Sequence, residues 1–526
     1  MLNDLSLSTL QNWLWKAACS IRGEIDAARY KDYILPLIFY KRLDDVYEDE
    51  LVRLAKSLDV DVETAHDFAE ADRSLVRFVL PKMVRWQSIR ETTAGLGKQI
   101  TDNLREIAKA NPDLAGVVDR RDFNATDQGQ RVLEDDTLAR LVNVLSEYRL
   151  GLADVQPDIL GRAYEYLIRK FAERGSSAGE FFTPTEVGFL IAYILDLQNG
   201  ESLYDPTSGS AGLLIKGQLR HRAKVATSLG KIVEELAPED DEHPIQLFGQ
   251  ELQPDNVATA KMNAFIHDMQ ADVRQGNTMR TPLFTNPDGS LRHFAKIAAN
   301  PMWNQEIPAE IYDKDTFHRF AYGIPPTSSA DWGWVQHMYA SLEPGGRMAV
   351  VLDTGAASRG SGNKGANKER DIRKKFVDDD AIEAVILLPD NLFFNTSAPG
   401  MIMVATKVDP EHSRQHAGEV MLINAGKFCE KGRPKNYMTD AQIAQVAALF
   451  LNWQAVEGVS VVIKQAEVIR NDYNLSPSRY VTTNDKEPPL PLEEALVLLQ
   501  EAEEARTEAD QRLDKLMIKL GFPNWH

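Results

Sequence analysis

Four residues near the middle of the chain, Asn300-Pro301-Met302-Trp303, combine the groups needed to make a nucleobase amine react. An exocyclic amine of a base is a poor nucleophile, because its lone pair is delocalised into the ring. It becomes a better one when two acceptors draw its hydrogens out of the ring plane. The side-chain oxygen of Asn300 and the carbonyl of Pro301 are two such acceptors on adjacent residues. Proline has no N–H and a fixed φ, so it holds such a turn in shape. Trp303 adds a ring on which a base taken out of its duplex can stack. An ordinary Asn-Pro turn beside a core tryptophan has the same composition, so the tetrapeptide is only suggestive by itself.

Three upstream segments read as a ligand site. Tyr204-Asp205-Pro206-Thr207-Ser208-Gly209-Ser210-Ala211-Gly212 is a run of small residues between a short strand and a helix, where a backbone can approach a ligand closely. Glu251, closing Phe248-Gly249-Gln250-Glu251, is an acid at the end of the next strand, placed to accept both ribose hydroxyls of an adenosine cofactor. The spacing between these two segments is longer than in a usual dinucleotide fold, with residues 220–242 inserted. Gly179-Glu180-Phe181-Phe182-Thr183-Pro184 offers aromatic and Thr-Pro residues that can pack on such a cofactor. Read from the residues alone, it is a helix start with Thr183 as N-cap and Pro184 as first helical residue.

The elements that must position these segments differ along the chain. Residues 1 to about 155 read as helical, with Trp13, Ala17, Ile21, Ile25, Tyr33, Leu37, Phe39 and Leu43 at mostly helical spacings. An amphipathic helix spans Asp158 to Phe171, and a loop follows from Glu173 to Gly179. After Gly200, short apolar runs alternate with helical stretches. Strands are expected at Ser202–Tyr204, Gln246–Gly249, Asp272–Arg274, Lys296–Ala299, Arg347–Leu352, Ile382–Leu388 and Met401–Thr406. This alternation predicts an α/β fold with a parallel, doubly wound sheet. A polar linker from Ser476 to Pro491 leads to a last helix. There Ala495, Leu499, Ala502, Arg506, Ala509, Leu513, Leu516 and Leu520 form a heptad seam suited to a partner helix. The expected units are a helical N-terminal domain (1–155), an α/β domain (156–480) and a linker with a partner-binding helix (481–526).

The net charge of -19 excludes a globally basic DNA grip, leaving local basic patches or a partner to supply one. The stretch Ser358–Lys368 with Arg370, Arg373, Lys374 and Lys375 is the local candidate for phosphate contact; a solvated charged face is the alternative. No run reaches the roughly 18 apolar residues of a membrane span. The start does not read as a signal peptide, and two distant cysteines, Cys19 and Cys429, fit a reducing compartment, so the cytoplasm is expected.

Taken in order, the segments resemble the motifs of the gamma-class amino methyltransferases, and the wider chain resembles the modification subunit of type I restriction–modification systems. Gly179–Pro184 is similar to the family's cofactor-entry motif, Asp205–Gly212 to its motif I, and Asn300–Trp303 to its Asn-Pro-Pro-aromatic motif IV. The similarity extends to Trp15, Ile21–Asp26, Tyr33–Leu35 and Tyr40–Asp44 in the N-terminal region, Leu388–Thr396 in a late target-pocket segment, and Ile469–Tyr480 before the last helix.

The resemblance implies a Rossmann-like methyltransferase domain that moves a methyl group from S-adenosyl-L-methionine to adenine N6 of DNA, with no metal. It implies catalytic Asn300, Pro301 and Trp303. The implied cofactor residues are Phe181, Phe182, Thr183, Asp205, Thr207, Ser208, Gly209, Ser210, Glu251, Asn277 and Asn300. Phe393 and Phe394 are implied as walls of the base pocket. The implied partners are DNA, a specificity subunit shared by two modification subunits, and a restriction subunit. Two residues depart from the family pattern. Met302 stands where proline is usual, which loosens the turn but keeps both acceptors. Asn277 stands where aspartate is usual, which keeps an acceptor and loses a charge. Methylation of another substrate, such as protein glutamine, and a non-catalytic cofactor-binding scaffold are the alternative functions.

Overall fold

The computed structural model describes residues 6–513 except 22–29, 152–153, 156, 173–182, 234–235, 237–239, 241–242, 394–395, 434, 482–499, 501–502, 505 and 508. The N-terminal part is a helical layer built on Leu7–Ser20, Tyr30–Leu58, Val62–Ala71, Leu96–Ala110 and Asp135–Leu145. Ser6 caps the first helix by accepting from the Thr9 N–H. The residues at helical spacing point inward as expected: Trp13, Ala17, Ile21, Tyr33, Leu37, Phe39 and Leu43 are all buried. Ile25 lies outside the described residues. A two-residue hairpin, Thr126–Asp127 with Gln130–Arg131, interrupts the helices and was not anticipated.

A nine-stranded sheet follows: β1 (Ser202–Asp205), β2 (Gln246–Glu251), β3 (Ala271–Gln275), β4 (Phe294–Ala299), β5 (Leu342–Asp353), β6 (Ile382–Leu387), β7 (Gly400–Thr406), β8 (Glu419–Asn424) and β9 (Ser460–Lys464). All seven expected strands are present, and β8 and β9 extend the sheet beyond them. The order is β9-β8-β6-β7-β5-β4-β1-β2-β3. The sheet is mixed rather than wholly parallel: β7 runs antiparallel to both β5 and β6, and β9 antiparallel to β8. A crossover helix is what makes a parallel return, and no described helix separates β6 from β7, so β7 returns antiparallel. Strand β5 alternates its buried residues between two cores. Ala349 and Val351 join one, with Thr185–Leu195 and Asp440–Leu451; Met348, Val350 and Leu352 join the other, with Asp331–Ala340 and Lys368–Asp378.

Strand β1 has β2 on one side and β4 on the other. The strand order reverses there, which opens a crevice at the carboxyl ends of these strands. The helical layer is joined to this region through one continuous apolar core, which takes in Ala258, Met262 and Ile266 of the helix Pro254–Ile266. A buried ion pair adds a second join. Glu165, on the helix Pro157–Ala172, holds Lys216 of the helix Gly212–Leu229 with both carboxylate oxygens. Burial opposes the Glu165 charge, but the adjacent Lys216 ammonium and the hydrogen bonds that the carboxylate accepts together outweigh it and keep the carboxyl below its ordinary value. His267 packs beside them, and burial lowers its pKa to about 4, so it is neutral at pH 7. Gly161 makes the close packing possible, because a Cβ there would fall 2.2 Å from the His267 ring.

Of the terminal seam, Arg506, Ala509 and Leu513 are helical and exposed, and the other seam residues lie outside the described ones. No described helix is long and apolar enough to cross a membrane.

Lys216→Met would leave the Glu165 carboxylate buried without its cation. Urea unfolding should show a loss of about 3–5 kcal/mol. The double variant Glu165→Gln/Lys216→Met should recover a large part of it, and additive losses would contradict the pairing.

Candidate active site

The loop after β1 forms the floor of the crevice, a cavity of about 600 Å³. Its shape comes from local bonds. The Thr207 N–H donates to Asp205 Oδ1 at 2.9 Å, and the Ser208 N–H to the Gln250 carbonyl at 3.0 Å. Gly209 and Ala211 take left-handed backbone conformations, at φ 51° and 64°. The Ser210 carbonyl accepts from buried Asn263 at 3.0 Å, and the Pro206 carbonyl from the Thr278 hydroxyl at 2.7 Å. Gly249 of β2 lets the loop lie this close, because a Cβ there would meet the Ser208 side chain at 2.9 Å.

Glu251 ends β2 and accepts from the Gly209 N–H at 3.0 Å and the Gln253 N–H at 2.8 Å, so it bridges the loop to the next helix. Asp205 is fully buried, and burial, aided by the nearby Glu251 charge, raises its pKa to about 7. Ser208 Oγ is buried without a hydrogen-bond partner and lines the cavity. Asn277 and Thr278 line it after β3. Leu35 of the helical layer and Ile307 line it as well, and of these Ile307 is marked by no sequence motif.

Asn300 follows β4 directly and also lines the cavity. Its Nδ2 donates to Thr183 Oγ1 at 3.0 Å, and its Oδ1 accepts from the Trp303 indole at 3.3 Å. Thr183 is therefore not the N-cap expected of it. Pro184 takes that position, the helix begins at Thr185, and no side chain caps it. Trp303 packs edge-on against Phe393, with ring centroids 4.9 Å apart. Gly400, opening β7, makes room for both rings, since a Cβ there would lie 2.8 Å from Phe393 and 2.9 Å from Trp303. Met302 is exposed on the cavity wall. Phe181, Phe182 and Phe394 lie outside the described residues.

Behind the tetrapeptide is a charge cluster that no motif announced. Asn304 has a left-handed backbone, φ 52°, and its N–H donates to Asp331 Oδ1 at 2.9 Å. Its side chain reaches Asp353 at 3.4 Å. Arg359 joins Asp331, Asp353 and Glu369, bonding Asp353 at 2.8 Å and Glu369 at 2.6 Å.

Arg359 belongs to the stretch that is by sequence a candidate for phosphate contact, with a solvated charged face as the alternative, and the arginines there have a different use. Arg373 is buried and donates to the carbonyls of Ala356, Arg359 and Tyr473. Arg370 ties down the carbonyls of Asn363 and Gly365, each at 2.9 Å. Lys374 is held by Tyr473 and Asp378. The three arginines hold the loop after β5 in place, whereas Lys364, Lys368, Lys374 and Lys375 are exposed.

Residues 155–488 match the N-6 DNA methylase family, and residues 10–145 match the HsdM N-terminal domain. The chain is 30% identical over 515 residues to the type I restriction enzyme MjaVII methylase subunit of Methanocaldococcus jannaschii, covering 93% of this chain and 80% of that protein. It is 29% identical over 545 residues to the MjaVIII methylase subunit of the same organism, covering 99% and 85%. Its structure resembles the type I restriction-modification system methyltransferase subunit from Streptococcus thermophilus, with a TM-score of 0.75 and 27% identity over 91% of this chain and 100% of that one.

Arg359→Met removes the cation shared by three carboxylates, and a loss of about 3–5 kcal/mol of unfolding free energy is expected at neutral pH. Burial already holds the Asp331 carboxyl above its ordinary value, while Arg359 opposes that shift. Loss of Arg359 raises it further, so the variant takes up its proton first, and its deficit should shrink as pH falls from neutrality towards the ordinary carboxylate range. Urea titrations of both proteins across that range test this, and a pH-independent deficit would refute it.

Proposed function

Because the chain belongs to the N-6 DNA methylase family, as a DNA adenine methyltransferase subunit of the type I restriction–modification kind, we propose that its methyl transfer takes place at Asn300–Trp303. One observation carries this assignment: Asn300 stands at the carboxyl end of β4, beside β1, and lines the same crevice as the loop Asp205–Ser210.

The crevice suits S-adenosyl-L-methionine. The Ser208 hydroxyl is buried there without a partner, the loop exposes its small residues, and carboxylates stand at the ends of β1 and β2. Thr183, Asp205, Thr207, Ser208, Gly209, Ser210, Glu251, Asn277 and Asn300 hold the cofactor in this reading, with Phe181 and Phe182 assigned from the sequence motif alone. Glu251 retains free lone pairs for ribose hydroxyls, since a carboxylate has about four acceptor sites. When bound, the cofactor supplies a methyl group on a positively charged sulfur, which leaves as a neutral thioether.

The chain's residues act on the amine. Asn300 Oδ1 and the Pro301 carbonyl accept hydrogen bonds from the two N6 hydrogens of a flipped adenine and turn its lone pair towards the methyl group. The new N–C bond makes the nitrogen cationic, and it then gives up one of these protons to solvent. Trp303 stacks on the base, and Phe393 supports Trp303 from the side. Their contribution is chiefly alignment of the reacting atoms. Met302 leaves both acceptors in place.

The reading extends to the assembly. A helical domain (1–155), a methyltransferase domain (156–480) and a linker with a terminal helix (481–526) work with a specificity subunit that reads the DNA sequence. Two modification subunits join each specificity subunit, and a restriction subunit joins for cleavage. The net charge of -19 suits a chain that delegates much of its DNA contact. The exposed helical residues Arg506, Ala509 and Leu513 suit docking of that last helix on the partner.

Protein reconstituted with its specificity subunit, labelled S-adenosyl-L-methionine and unmethylated genomic DNA should place label on adenine N6. Asn300→Ala should abolish transfer, and label on cytosine or on protein would overturn the substrate. A carboxyl with a pKa near 7 gives a second test. Asp205 is increasingly ionised as pH rises, and the ionised form attracts a cationic ligand more strongly. Cofactor affinity should therefore climb between about pH 6 and about pH 8, and Asp205→Asn should flatten the profile. Calorimetric titration would measure both, and a flat wild-type profile would refute the role of Asp205.

A further inference from the structure

Only one of the two orientations of the Asn300 amide serves this reaction. With oxygen towards the base it accepts an N6 hydrogen; with nitrogen there, two donors face each other. The two ends of an amide have nearly the same shape, so its hydrogen-bond partners must distinguish them. A hydroxyl cannot do so by itself, because it donates or accepts as required. An indole N–H can, because it only donates.

Both kinds of partner meet Asn300. The Trp303 indole lies 3.3 Å from Oδ1, and Thr183 Oγ1 lies 3.0 Å from Nδ2. Turning the amide over would set its NH2 group against the indole N–H. At 8% exposure, Asn300 has little access to water that could relieve such a clash. Trp303 is itself held in place by Phe393 and by the absence of a side chain at Gly400. Thr183 is free for this contact because it does not cap the helix that follows.

We infer that Thr183 and Trp303 are positioning residues that lock the Asn300 amide with its oxygen towards the substrate amine, an inference that rests on the assignment of methyl transfer to Asn300. The oxygen has two lone pairs. One is occupied by the indole, and the other accepts the amine hydrogen. Trp303 thus acts through its ring edge as well as its face, a role phenylalanine at the same position could not fill. Thr183 acts on the amide in addition to any contact with the cofactor. Thr183, before the helix Thr185–Leu195, and the tetrapeptide after β4 form one hydrogen-bonded unit.

The test compares Trp303→Phe, Thr183→Val, Thr183→Ser and Asn300→Ala in the complex with the specificity subunit, on unmethylated genomic DNA with saturating cofactor. Trp303→Phe keeps an aromatic face and loses the N–H, so kcat should fall about ten-fold or more while KM for DNA stays near wild type. Thr183→Val should lower kcat at saturating cofactor by about as much, beyond any change in the Kd for S-adenosylhomocysteine, and Thr183→Ser should regain most of that loss. Combining Trp303→Phe with Thr183→Val should cost less than the product of the two effects, because both act through one amide.

The inference fails if Trp303→Phe and Thr183→Val each keep kcat within about two-fold of wild type while Asn300→Ala is inactive. It also fails if Trp303→Phe changes only KM for DNA, which assigns Trp303 to stacking alone, or if Thr183→Val changes only cofactor affinity. Transfer by Asn300→Ala would instead remove the site assignment itself, and this inference with it.

Discussion

The pairing of β1 with β4 is the constraint on which the rest of the site depends. The two strands are far apart in sequence and adjacent in the sheet, with Leu203 opposite Lys296 and Tyr204 opposite Ile297. Because they run parallel, both carboxyl ends fall on the same edge. The loop from Asp205 and the tetrapeptide from Asn300 therefore emerge side by side, and β2 brings Glu251 to the same edge. No local preference of either loop produces this meeting. It follows from the order in which buried apolar strands associate.

The crevice is held by polar groups that are mostly buried and paired. Asn263 holds the Ser210 carbonyl, Thr278 the Pro206 carbonyl, and Asp331 the Asn304 N–H. In a low-dielectric setting such bonds are strong, and an unpaired member would be costly, so each loop has one preferred shape. The helical layer takes part in this arrangement. Its core continues into the helix after Glu251, its Leu35 lines the cavity, and the Glu165–Lys216 pair anchors the helix that follows the glycine loop. A rigid support of this kind suits a reaction governed by alignment, where a small displacement of Asn300 would matter more than any change in its chemistry.

Much of the fold was legible from periodicity. The buried faces of the N-terminal helices and the runs Met348–Leu352 and Ala384–Leu388 declared themselves, because apolar spacing is a local signal. Strands β8 and β9 were missed, though Val420–Ile423 is continuously apolar. The antiparallel direction of β7 was also missed, because direction depends on the connection rather than on the strand's own residues. Thr183 was misread as a cap, since Thr-Pro before a helix fits that pattern locally, and its hydroxyl found a partner 117 residues away instead.

The sequence by itself determined which residue types stand in which order: the small-residue loop, the acid after it, Asn-Pro-Met-Trp, and helical regions on both sides. These are local properties, and they were enough to indicate the family. The tertiary structure alone decided the relations between distant residues. It turned the arginines of the 358–375 stretch inward onto carbonyls and carboxylates, gathered three acids around Arg359, and set the two ends of the Asn300 amide against Thr183 and Trp303. The physical reason is that a side chain's charge and hydrogen-bonding capacity are written in its identity, whereas the partner that satisfies them is chosen by packing.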